Sequence, residues 1–493
     1  MESLWESDAP DITSDPMLPD DEVADVAVVG AGLAGLTTAL LFAQAGRKVV
    51  LFEARTVGAG TTGRTTAKVT RLQGTMLQRI RERSTAAVLA AYVASQDAAF
   101  DWLRHFASGS SVAFEFREAV TVALAPEERE AVEREHRLAR AHGLATVLSD
   151  APELPFPTFG AVRLPAQAQV EPFRLLAALA AAFRTAGGTL VQNARVTAVS
   201  AHRIGGQPAV LTTSRGRARA EKVVITTGMP ILDRGLYFAK VAPHRSYAAA
   251  WRVAPGELPH AMYLGAGKPT TSVRDARGLL LTGGFGHHVG RHPSPRAAAD
   301  ELAAWTRSYW PHAELVAEWS AQDNLSPHGI PFAGWLPRGA GRIYLATGFS
   351  KWGMTNAVSS ALTVVADVLG GGTDWQRTLH HRVTLPRAFA TGIGQNAAVA
   401  AWYARSWARA LARRVPDEVA EGAGSLGRRG VRPVGRSTVD GVTRDVCAIC
   451  PHMGAIVQWN DFERSWDCPA HGSRFTPGGA VLEGPTRHPL RAL

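Results

Sequence analysis

The chain has 493 residues, a formal net charge of +10 and only three cysteines. At roughly 150 residues per domain, this length predicts about three domains. No apolar run reaches the ~18 residues that a membrane span needs, and the basic residues are mostly scattered arginines, which argues against a nucleic-acid partner. The acidic N-terminus lacks a signal pattern, and so few cysteines form no disulfide framework. We therefore expect a cytoplasmic protein without a membrane partner, with residues 1–22 as a disordered tail.

The first predicted elements form a nucleotide-binding unit. A strand over residues 25–29 is followed by the turn Gly30-Ala-Gly32-Leu-Ala-Gly35, an apolar helix and a second strand that ends at Glu53. Glycines at these positions permit a tight turn and let a pyrophosphate approach the helix N-terminus closely. An acid about 20 residues after the turn suits ribose hydroxyls. The order of elements predicts a dinucleotide site, which the motif alone assigns to neither FAD nor NAD.

The middle of the chain alternates between two kinds of pattern. A polar loop at residues 61–68 follows the first unit, and a strand over residues 221–227 closes on Gly228. Residues 239–336 alternate apolar and polar side chains with aromatics, which is typical of an antiparallel sheet. Residues 341–369 return to a strand, a glycine-rich turn and a helix. This order predicts an antiparallel insertion within an α/β domain.

The C-terminal residues contain two Cys–His pairs. Cys450-Pro-His452 is followed, fifteen residues later, by Cys468-Pro-Ala-His471. A Rieske [2Fe-2S] centre uses two Cys on one iron and two His on the other, and a four-ligand zinc site accepts the same residue types. The flanking stretches CPHMGA and SWDCPAHGSRF resemble the Rieske domain consensus, which favours a cluster. We expect an electron-transfer module here.

Several longer stretches carry a family resemblance. VVGAGLAGLTTALLFAQAG, TGRTTAKVT, KVVITTGMPI, WSAQDN and ATGFSKWGMTN resemble the FAD-dependent oxidoreductases of the D-amino-acid oxidase, glycine oxidase and sarcosine oxidase superfamily. With the Cys–His block, the chain is similar to a bacterial subgroup that has a fused C-terminal Rieske domain. The resemblance implies an α/β FAD-binding domain of the Rossmann-type, glutathione-reductase-like fold, an inserted antiparallel-sheet substrate domain and a small all-β Rieske domain.

These expectations place the domain boundaries. The oxidoreductase domain is predicted over residues 23–385, with FAD-binding parts at 23–95, 165–235 and 336–385 and substrate-domain parts at 96–164 and 236–335. A helical linker is predicted over residues 386–417, followed by the Rieske domain over residues 418–493.

The resemblance also implies which residues hold the two cofactors, FAD and a [2Fe-2S] cluster. The cluster ligands are expected to be Cys450, His452, Cys468 and His471. The residues expected to bind FAD lie in the two glycine-rich turns, the 61–68 loop and neighbouring strands, namely Gly30, Gly32, Leu33, Ala34, Gly35, Glu53, Thr61, Arg64, Thr65, Thr66, Val196, Gly228, Gly348, Trp352, Gly353 and Met354. For substrate carboxylate binding and flavin polarisation we predict Lys351, Arg245 and Tyr247.

The implied activity is FAD-dependent oxidation of an amine or amino acid C–N bond, as a dehydrogenase or an oxidase. Electrons would then pass from reduced flavin to the fused cluster and on to an acceptor such as O2, a quinone or a redox protein. One alternative is a reductase in which the flavoprotein and cluster feed a downstream partner, and another is a redox-sensing module without turnover.

Two further segments carry alternatives of their own. Residues 283–290 resemble a second nucleotide turn, but their glycine spacing is one residue too long and the prolines that follow are not expected to start a helix. We therefore interpret them as sheet near the flavin rather than as an NAD(P)H site. Residues 399–414 form a basic amphipathic helix, which suits either a membrane surface or, as we favour, a connector packed on the flavoprotein.

The loops around the cluster depart from the Rieske pattern at two pairs of positions. Ala455 and Ala470 stand where many Rieske proteins have a disulfide, so no bridge ties the loops here. Ser473 keeps a hydroxyl donor of high-potential members, whereas Phe475 replaces their tyrosine. Fewer hydrogen bonds leave the reduced cluster less stabilised, which predicts a potential in the lower half of the Rieske range of about −150 to +300 mV.

Overall fold

Two large sheets and two small ones organise the chain in the computed structural model, which describes residues 2–149, 153–201 and 207–493. Its helices are α1 (Leu33–Gln44), α2 (Met76–Arg83), α3 (Ala86–Ser108), α4 (Arg129–Ala141), α5 (Pro172–Thr185), α6 (Tyr237–Lys240), α7 (Pro295–Tyr309), α8 (Gly353–Leu369), α9 (Asp374–His380) and α10 (Pro386–Ala412). Short 3-10 helices cover Thr61–Arg64, Pro126–Glu128, Arg234–Leu236 and Pro255–Glu257.

The strands, in chain order, are β1 (Val23–Val29), β2 (Val49–Phe52), β3 (Lys68–Val69), β4 (Glu115–Val122), β5 (Val147–Ser149), β6 (Ala161–Gln169), β7 (Thr189–Val191), β8 (Val196–Ser200), β9 (Ala209–Thr213), β10 (Gly216–Ile225), β11 (Ala242–Arg252), β12 (Met262–Gly265), β13 (Thr271–Ala276), β14 (Leu279–His288), β15 (Glu314–Leu325), β16 (Phe332–Trp335), β17 (Ile343–Thr347), β18 (Gly424–Arg429), β19 (Arg432–Val439), β20 (Val442–Cys447), β21 (Gln458–Asn460), β22 (Ser465–Asp467), β23 (Arg474–Phe475) and β24 (Val481–Glu483).

The first large sheet has the order β16-β17-β10-β1-β2-β7, and its inner strands run parallel. Apolar residues of α1, α5 and α8 pack with those of the strands in one continuous core, as a parallel sheet buried on its faces requires. Val29 pairs with Ile225, and Ile225 pairs with Leu345. The carboxyl ends of β1, β10 and β17 therefore meet at one edge.

The second large sheet is predominantly antiparallel, with the order β15-β11-β14-β13-β12-β4-β6-β3. The pair of large sheets confirms the predicted α/β fold with an antiparallel insertion. This sheet recruits β3 from within the segment predicted as FAD-binding, and β6 runs across the predicted boundary between residues 164 and 165. Sequence alternation did not reveal β3 because it is only two residues long.

The C-terminal region consists of two small antiparallel sheets, β18-β19-β20 and β21-β22-β23-β24. Their shared core includes the fully buried Trp466 and Phe475, which fits the predicted all-β Rieske domain. Val399, Trp407 and Ala410 of α10 pack against this core. The favoured interpretation of the linker, packing on the flavoprotein, is thus only partly right. The helix rests mainly on β18 and β19 of the C-terminal domain, and it also contacts α2 and α6 of the flavoprotein, where Asn396 Nδ2 donates to Ala239 O.

The prediction of a disordered tail is wrong for the described residues 2–22. Trp5 is fully buried, and its indole Nε1 donates a hydrogen bond to Thr65 O at 2.8 Å. Ser3 Oγ donates to Gly63 O, so this segment covers the polar 61–68 loop. The acidic residues that suggested disorder instead form ion pairs, such as that between Asp8 and Arg277.

The segment after the glycines of β14 also corrects the sequence analysis. A helix does begin there, because Pro295 occupies the first helical position and the Ser294 side chain accepts a hydrogen bond from Ala297 N. Proline is tolerated at that position, where its missing N–H is not needed. Residues 279–288 themselves form an antiparallel strand, as expected. No described helix has the length and apolar character needed to cross a membrane.

Candidate functional site

The predicted FAD residues converge on the carboxyl edge of the parallel sheet. Gly30 follows β1, Glu53 follows β2, and Gly348 follows β17. Gly228 lies three residues beyond β10, and its carbonyl accepts a hydrogen bond from the Thr347 hydroxyl. The edge beyond the carboxyl ends of parallel strands is where such sheets bind ligands, so the tertiary fold assembles the site that the motifs suggest.

The first turn fits a dinucleotide. Gly30 has φ +105°, and a Cβ on Gly35 would lie 1.7 Å from Gly30 O. The N-cap residue of the helix that follows, Gly32, has no side chain to cap it, and the first turn of the helix contains no acid. Leu33 and Ala34 begin this helix and are buried. An anionic pyrophosphate satisfies such an end.

The other residues of this region have defined partners. Glu53 Oε2 accepts from Ala31 N at 2.8 Å, which holds the carboxylate against the turn. Thr62 Oγ1 accepts from Leu33 N, and Thr61 Oγ1 donates to Gln322 O. Val196 is buried in β8. The carbonyl of Thr65 accepts from the Trp5 indole, and that of Thr66 accepts from the Arg274 guanidinium. The N-terminal segment and the second large sheet therefore hold this loop in place.

The late turn carries Lys351 together with an acid that the sequence analysis missed. Ser350 and Lys351 have positive φ, and Lys351 N donates to Asp323 Oδ2. Lys351 is partly exposed to solvent. The surrounding protein nevertheless desolvates its ammonium group, which lowers the pKa of Lys351 to about 8. Burial raises the pKa of Asp323. Asp323 lies in the WSAQDN stretch that carried the resemblance, but no local pattern singled it out.

Trp352, Gly353 and Met354 complete this turn. Trp352 precedes α8, Gly353 begins it, and a Cβ on Gly353 would meet no protein atom within 4 Å. Met354 follows Gly353 in α8 and is buried in the hydrophobic core. The open side of Gly353 suits the close approach of a flat ring system.

Arg245 and Tyr247 lie elsewhere, in a buried contact with the C-terminal domain. The Arg245 side chain is 1% exposed and pairs with Asp467 at 3.4 Å and with Glu463 at 3.7 Å. The Tyr247 hydroxyl is 2.8 Å from His287 Nε2, and its ring packs on Phe462. Neither side chain is open to a substrate, so the predicted roles in carboxylate binding are not retained.

Arg64, predicted to contact FAD, joins the same contact. Its guanidinium is 3.1 Å from Glu463 Oε2, and Arg474 pairs with Glu463 and Asp467 at 3.3 and 3.2 Å. We call Arg64, Arg245, Glu463, Asp467 and Arg474 the interdomain ion-pair cluster. It fastens the C-terminal domain to both the 61–68 loop and β11.

The charges in the interdomain ion-pair cluster are mutually compensating. Burial by itself would raise the pKa of Glu463, but the neighbouring cations Arg474, Arg245 and Arg64 outweigh it and hold the pKa well below its usual range. The pKa of Asp467 is also lowered, because Arg474 and Arg245 outweigh its burial. Removing one partner from such a buried set leaves an uncompensated charge.

The four predicted cluster ligands lie on two facing loops. Cys450 and Cys468 are buried, and the rings of His452 and His471 are 5.1 Å apart. His471 Nδ1 is buried without a hydrogen-bond partner, as expected of an atom reserved for iron. In the described part of the chain, no three His, Cys, Asp or Glu side chains converge on one ion. A Rieske cluster divides two Cys and two His between two irons.

The two predicted histidine ligands face the flavoprotein domain. His452 Nε2 is 2.9 Å from Asp233 Oδ1, and the Phe238 ring packs edge-on against both His452 and His471, with centroids 4.9 and 4.8 Å away. Asp233 and Phe238 follow Gly228 by five and ten residues. One short segment therefore joins the FAD edge of the sheet to the cluster loops. Neither residue stands out in the sequence.

The expected tuning residues surround the ligands. The Ser473 side chain lies near Cys450 and lowers the pKa of its thiol, its hydroxyl oxygen accepts from Thr486 N, and Phe475 is fully buried without a hydroxyl to offer. Ala455 and Ala470 are buried in the same core, and all three cysteines are free. The loops are therefore held by packing and hydrogen bonds rather than by a disulfide.

Comparisons with known proteins agree with this geometry. The family model described as FAD dependent oxidoreductase matches residues 25–366, and that of the Rieske [2Fe-2S] domain matches residues 429–493. The "Putative Rieske 2Fe-2S iron-sulfur protein YhfW" of Bacillus subtilis (strain 168) is 29% identical, and the match covers 100% of this chain and 97% of that protein.

Solved structures share the fold of the larger part of the chain. Glycine oxidase from Geobacillus kaustophilus superposes with a TM-score of 0.59 at 22% identity, covering 71% of this chain and 96% of that one. L-Proline dehydrogenase from P. horikoshii gives a TM-score of 0.60 at 16% identity, covering 76% and 99%.

Proposed function

Because the chain belongs to the FAD dependent oxidoreductase family and carries a C-terminal Rieske [2Fe-2S] domain, we propose that it oxidises a C–N bond of an amine or amino acid and passes the electrons to its own cluster. The observation that carries this proposal is the direct contact of Asp233 and Phe238 of the flavoprotein with the two predicted histidine ligands of the cluster. The glycine oxidase and L-proline dehydrogenase folds support the amino substrate class.

The proposed reaction is balanced over two electrons. The amine loses a hydride and a proton to give an imine, which water hydrolyses to a carbonyl compound and a free amine or ammonia. Bound FAD supplies the two-electron acceptor and the bound cluster supplies one-electron transfer. The electrons leave one at a time for an acceptor outside the chain, such as O2, a quinone or a redox protein.

Within this proposal, Lys351 acts beside the flavin. Its backbone N–H donates to Asp323, which lies near the end of β15 in the second large sheet, whereas Lys351 lies in the turn after β17. A cation at this position stabilises negative charge that develops nearby or holds a substrate carboxylate. Because the pKa of Lys351 is lowered to about 8, the charged form predominates at neutral pH and is lost above it.

An anaerobic reduction experiment tests the function. Amines and amino acids, including glycine and L-proline, are mixed with the holoprotein while flavin absorbance and the EPR signal of the reduced cluster are followed. We expect flavin bleaching by one substrate class, followed by appearance of the cluster signal. A Cys468→Ala variant keeps the bleaching and loses the signal. Bleaching by NADH but by no amine would establish the reductase alternative, and a cluster that stays oxidised beside reduced flavin would refute internal transfer.

A further inference from the structure

Helix α10 presents a continuous apolar face to solvent. Of its 27 residues only Ala388, Ser406 and Ala410 are buried, and their spacing places them on one side of the helix. The residues on the opposite side are exposed and apolar and recur every three or four positions, namely Phe389, Ile393, Ala397, Ala400, Ala404, Ala408 and Leu411. Such spacing forms one stripe along a helix. We call these seven residues the α10 stripe.

The α10 stripe contains large side chains that no other element covers. Phe389 is 62% exposed and Ile393 is 55% exposed. Exposed apolar surface continues onto the first cluster loop, where Met453 is exposed and the neighbouring Gly454 O accepts a hydrogen bond from Trp407 Nε1 at 2.9 Å. Contiguous exposed apolar surface of this kind marks a contact site for a protein or a membrane.

The charge beside the α10 stripe is entirely positive. No acidic residue occurs between Asp374 and Asp417. The exposed cations along and just after the helix are Arg387, Arg405, Arg409, Arg413 and Arg414. None of these five arginines forms an ion pair with a described residue. Arg387 and Arg405 are about five helical turns apart and therefore fall along the same border of the stripe.

This charge decides which partner fits the α10 stripe. A second copy of the chain would bring two sets of unpaired arginines together without a carboxylate, and like charges in an interface are costly. An anionic bilayer instead offers apolar chains to the stripe and negative headgroups to the arginines. A helix with Phe and Leu on one face and Arg beside it lies in the plane of such a surface.

We infer that α10 docks the protein on an anionic lipid surface, with the α10 stripe among the acyl chains and the arginines at the headgroups. This inference departs from the expectation of no membrane partner, which rested on the lack of a spanning apolar run. It extends the membrane-surface alternative for residues 399–414 toward Phe389. It is also independent of the proposed function, because it uses neither the substrate nor the direction of electron flow.

Sedimentation of the holoprotein with vesicles tests the inference. Vesicles of phosphatidylcholine alone are compared with vesicles that also contain phosphatidylglycerol, at low and at high salt. We expect binding to the anionic vesicles to be at least about tenfold tighter than to the neutral ones and to weaken as salt rises. Absence of binding to anionic vesicles at low salt would overturn the inference. A dimer that Phe389→Ser dissociates would then assign the stripe to a second copy.

A matched pair of phenylalanine variants tests the apolar contact. Phe389→Ser should weaken binding to anionic vesicles about tenfold, because the ring no longer leaves water. Phe116→Ser changes a phenylalanine that is 55% exposed in β4 and should leave binding unchanged. Both side chains are exposed, so FAD content, iron content and the unfolding midpoint should stay at wild-type values. Equal losses of binding in the two variants would contradict insertion of the stripe.

A second matched pair tests the charge. The double variant Arg405→Gln with Arg409→Gln should remove most of the preference for anionic over neutral vesicles. The control is Arg217→Gln with Arg219→Gln, which removes two exposed arginines of β10 and should keep that preference. If both double variants lose it equally, the net charge of the whole protein rather than α10 attracts it to lipid, and the inference fails.

Discussion

The glycine turn at residues 30–35 and the interdomain ion-pair cluster each bring separate elements together, but with different chemistry. The turn uses backbone atoms of neighbouring residues, and a Cβ on Gly35 has no room beside Gly30 O. The interdomain ion-pair cluster uses side chains up to 399 residues apart, as in the pair Arg64–Glu463. A backbone cradle depends on local sequence, whereas a set of buried charges depends on how domains dock.

The two regions also respond differently to substitution. At the turn, a side chain on Gly35 would overlap the Gly30 carbonyl, so we expect a substitution there to act chiefly on the dinucleotide site. In the interdomain ion-pair cluster, the cost of desolvating charges is offset only while every partner is present. Five substitutions, taken in order of decreasing expected effect, test this contrast and extend it to the flavin turn and the cluster.

The largest effect is expected for Gly35→Ala. Its Cβ would be 1.7 Å from Gly30 O, so the turn must open and the helix N-terminus moves away from the pyrophosphate. We expect the purified protein to lose nearly all FAD while retaining its iron and labile sulfide, as measured by flavin absorbance and metal analysis. Gly256→Ala, whose Cβ would meet nothing within 4 Å, should keep full FAD. Normal FAD content in the Gly35→Ala protein would contradict the role of this turn in binding FAD.

Glu463→Gln should strongly destabilise the docked C-terminal domain. Three arginines then lose a buried carboxylate, which costs about 3–5 kcal/mol. Denaturant unfolding followed through the cluster absorbance measures the loss. The matched control is Glu314→Gln, whose carboxylate pairs with Arg252 at the surface and should change the unfolding free energy by less than about 1 kcal/mol. Similar costs for both variants would show that burial does not set the strength of these pairs.

The same carboxylate predicts a pH dependence. The folded-state pKa of Glu463 is depressed, so its stabilisation is fully present above the unfolded pKa of about 4.3 and is lost as pH falls below that value. Domain docking should weaken progressively in acid. In the Glu463→Gln protein this part of the acid dependence should disappear, and an unchanged acid profile would exclude Glu463 as its source.

Lys351→Met is expected to slow flavin reduction by the substrate about tenfold or more while FAD stays bound. With the wild-type chain, the rate should fall as pH rises through about 8, because the lowered pKa removes the cation there, and the variant should lack this step. Stopped-flow absorbance measures both. Lys48→Met, a surface lysine at the opposite end of β2 from Glu53, is the control. An unchanged reduction rate at Lys351→Met would remove the residue from the mechanism.

The smallest effects are expected at the cluster sulfurs. Ser473→Ala removes the hydroxyl near Cys450 and should lower the midpoint potential by roughly 50 mV, since a shift of about 59 mV is tenfold in equilibrium. Phe475→Tyr should raise the potential if the added hydroxyl reaches a ligand sulfur. EPR-monitored redox titration measures both, with an expected wild-type value in the lower half of the Rieske range. A wild-type potential near +300 mV would show that other donors or solvent exposure dominate.

The sequence by itself determined the parts of this protein that depend on neighbouring residues. The strand–turn–helix unit, Glu53 and the Cys–His pairs are recognisable because glycine conformation and ligand chemistry act over a few positions. The fold class followed from the order of such units, and the resemblance supplied the late turn at Gly348.

Only the tertiary structure decided which charges meet. Arg245 and Tyr247 looked available for substrate, yet docking of the C-terminal domain turned them into buried partners of Asp467 and Phe462. Asp323 and Asp233 acquired their positions in the same way, from contacts with Lys351 and His452. Electrostatic pairing acts between side chains that are close in space, whatever their separation along the chain. It is therefore not encoded in any local pattern.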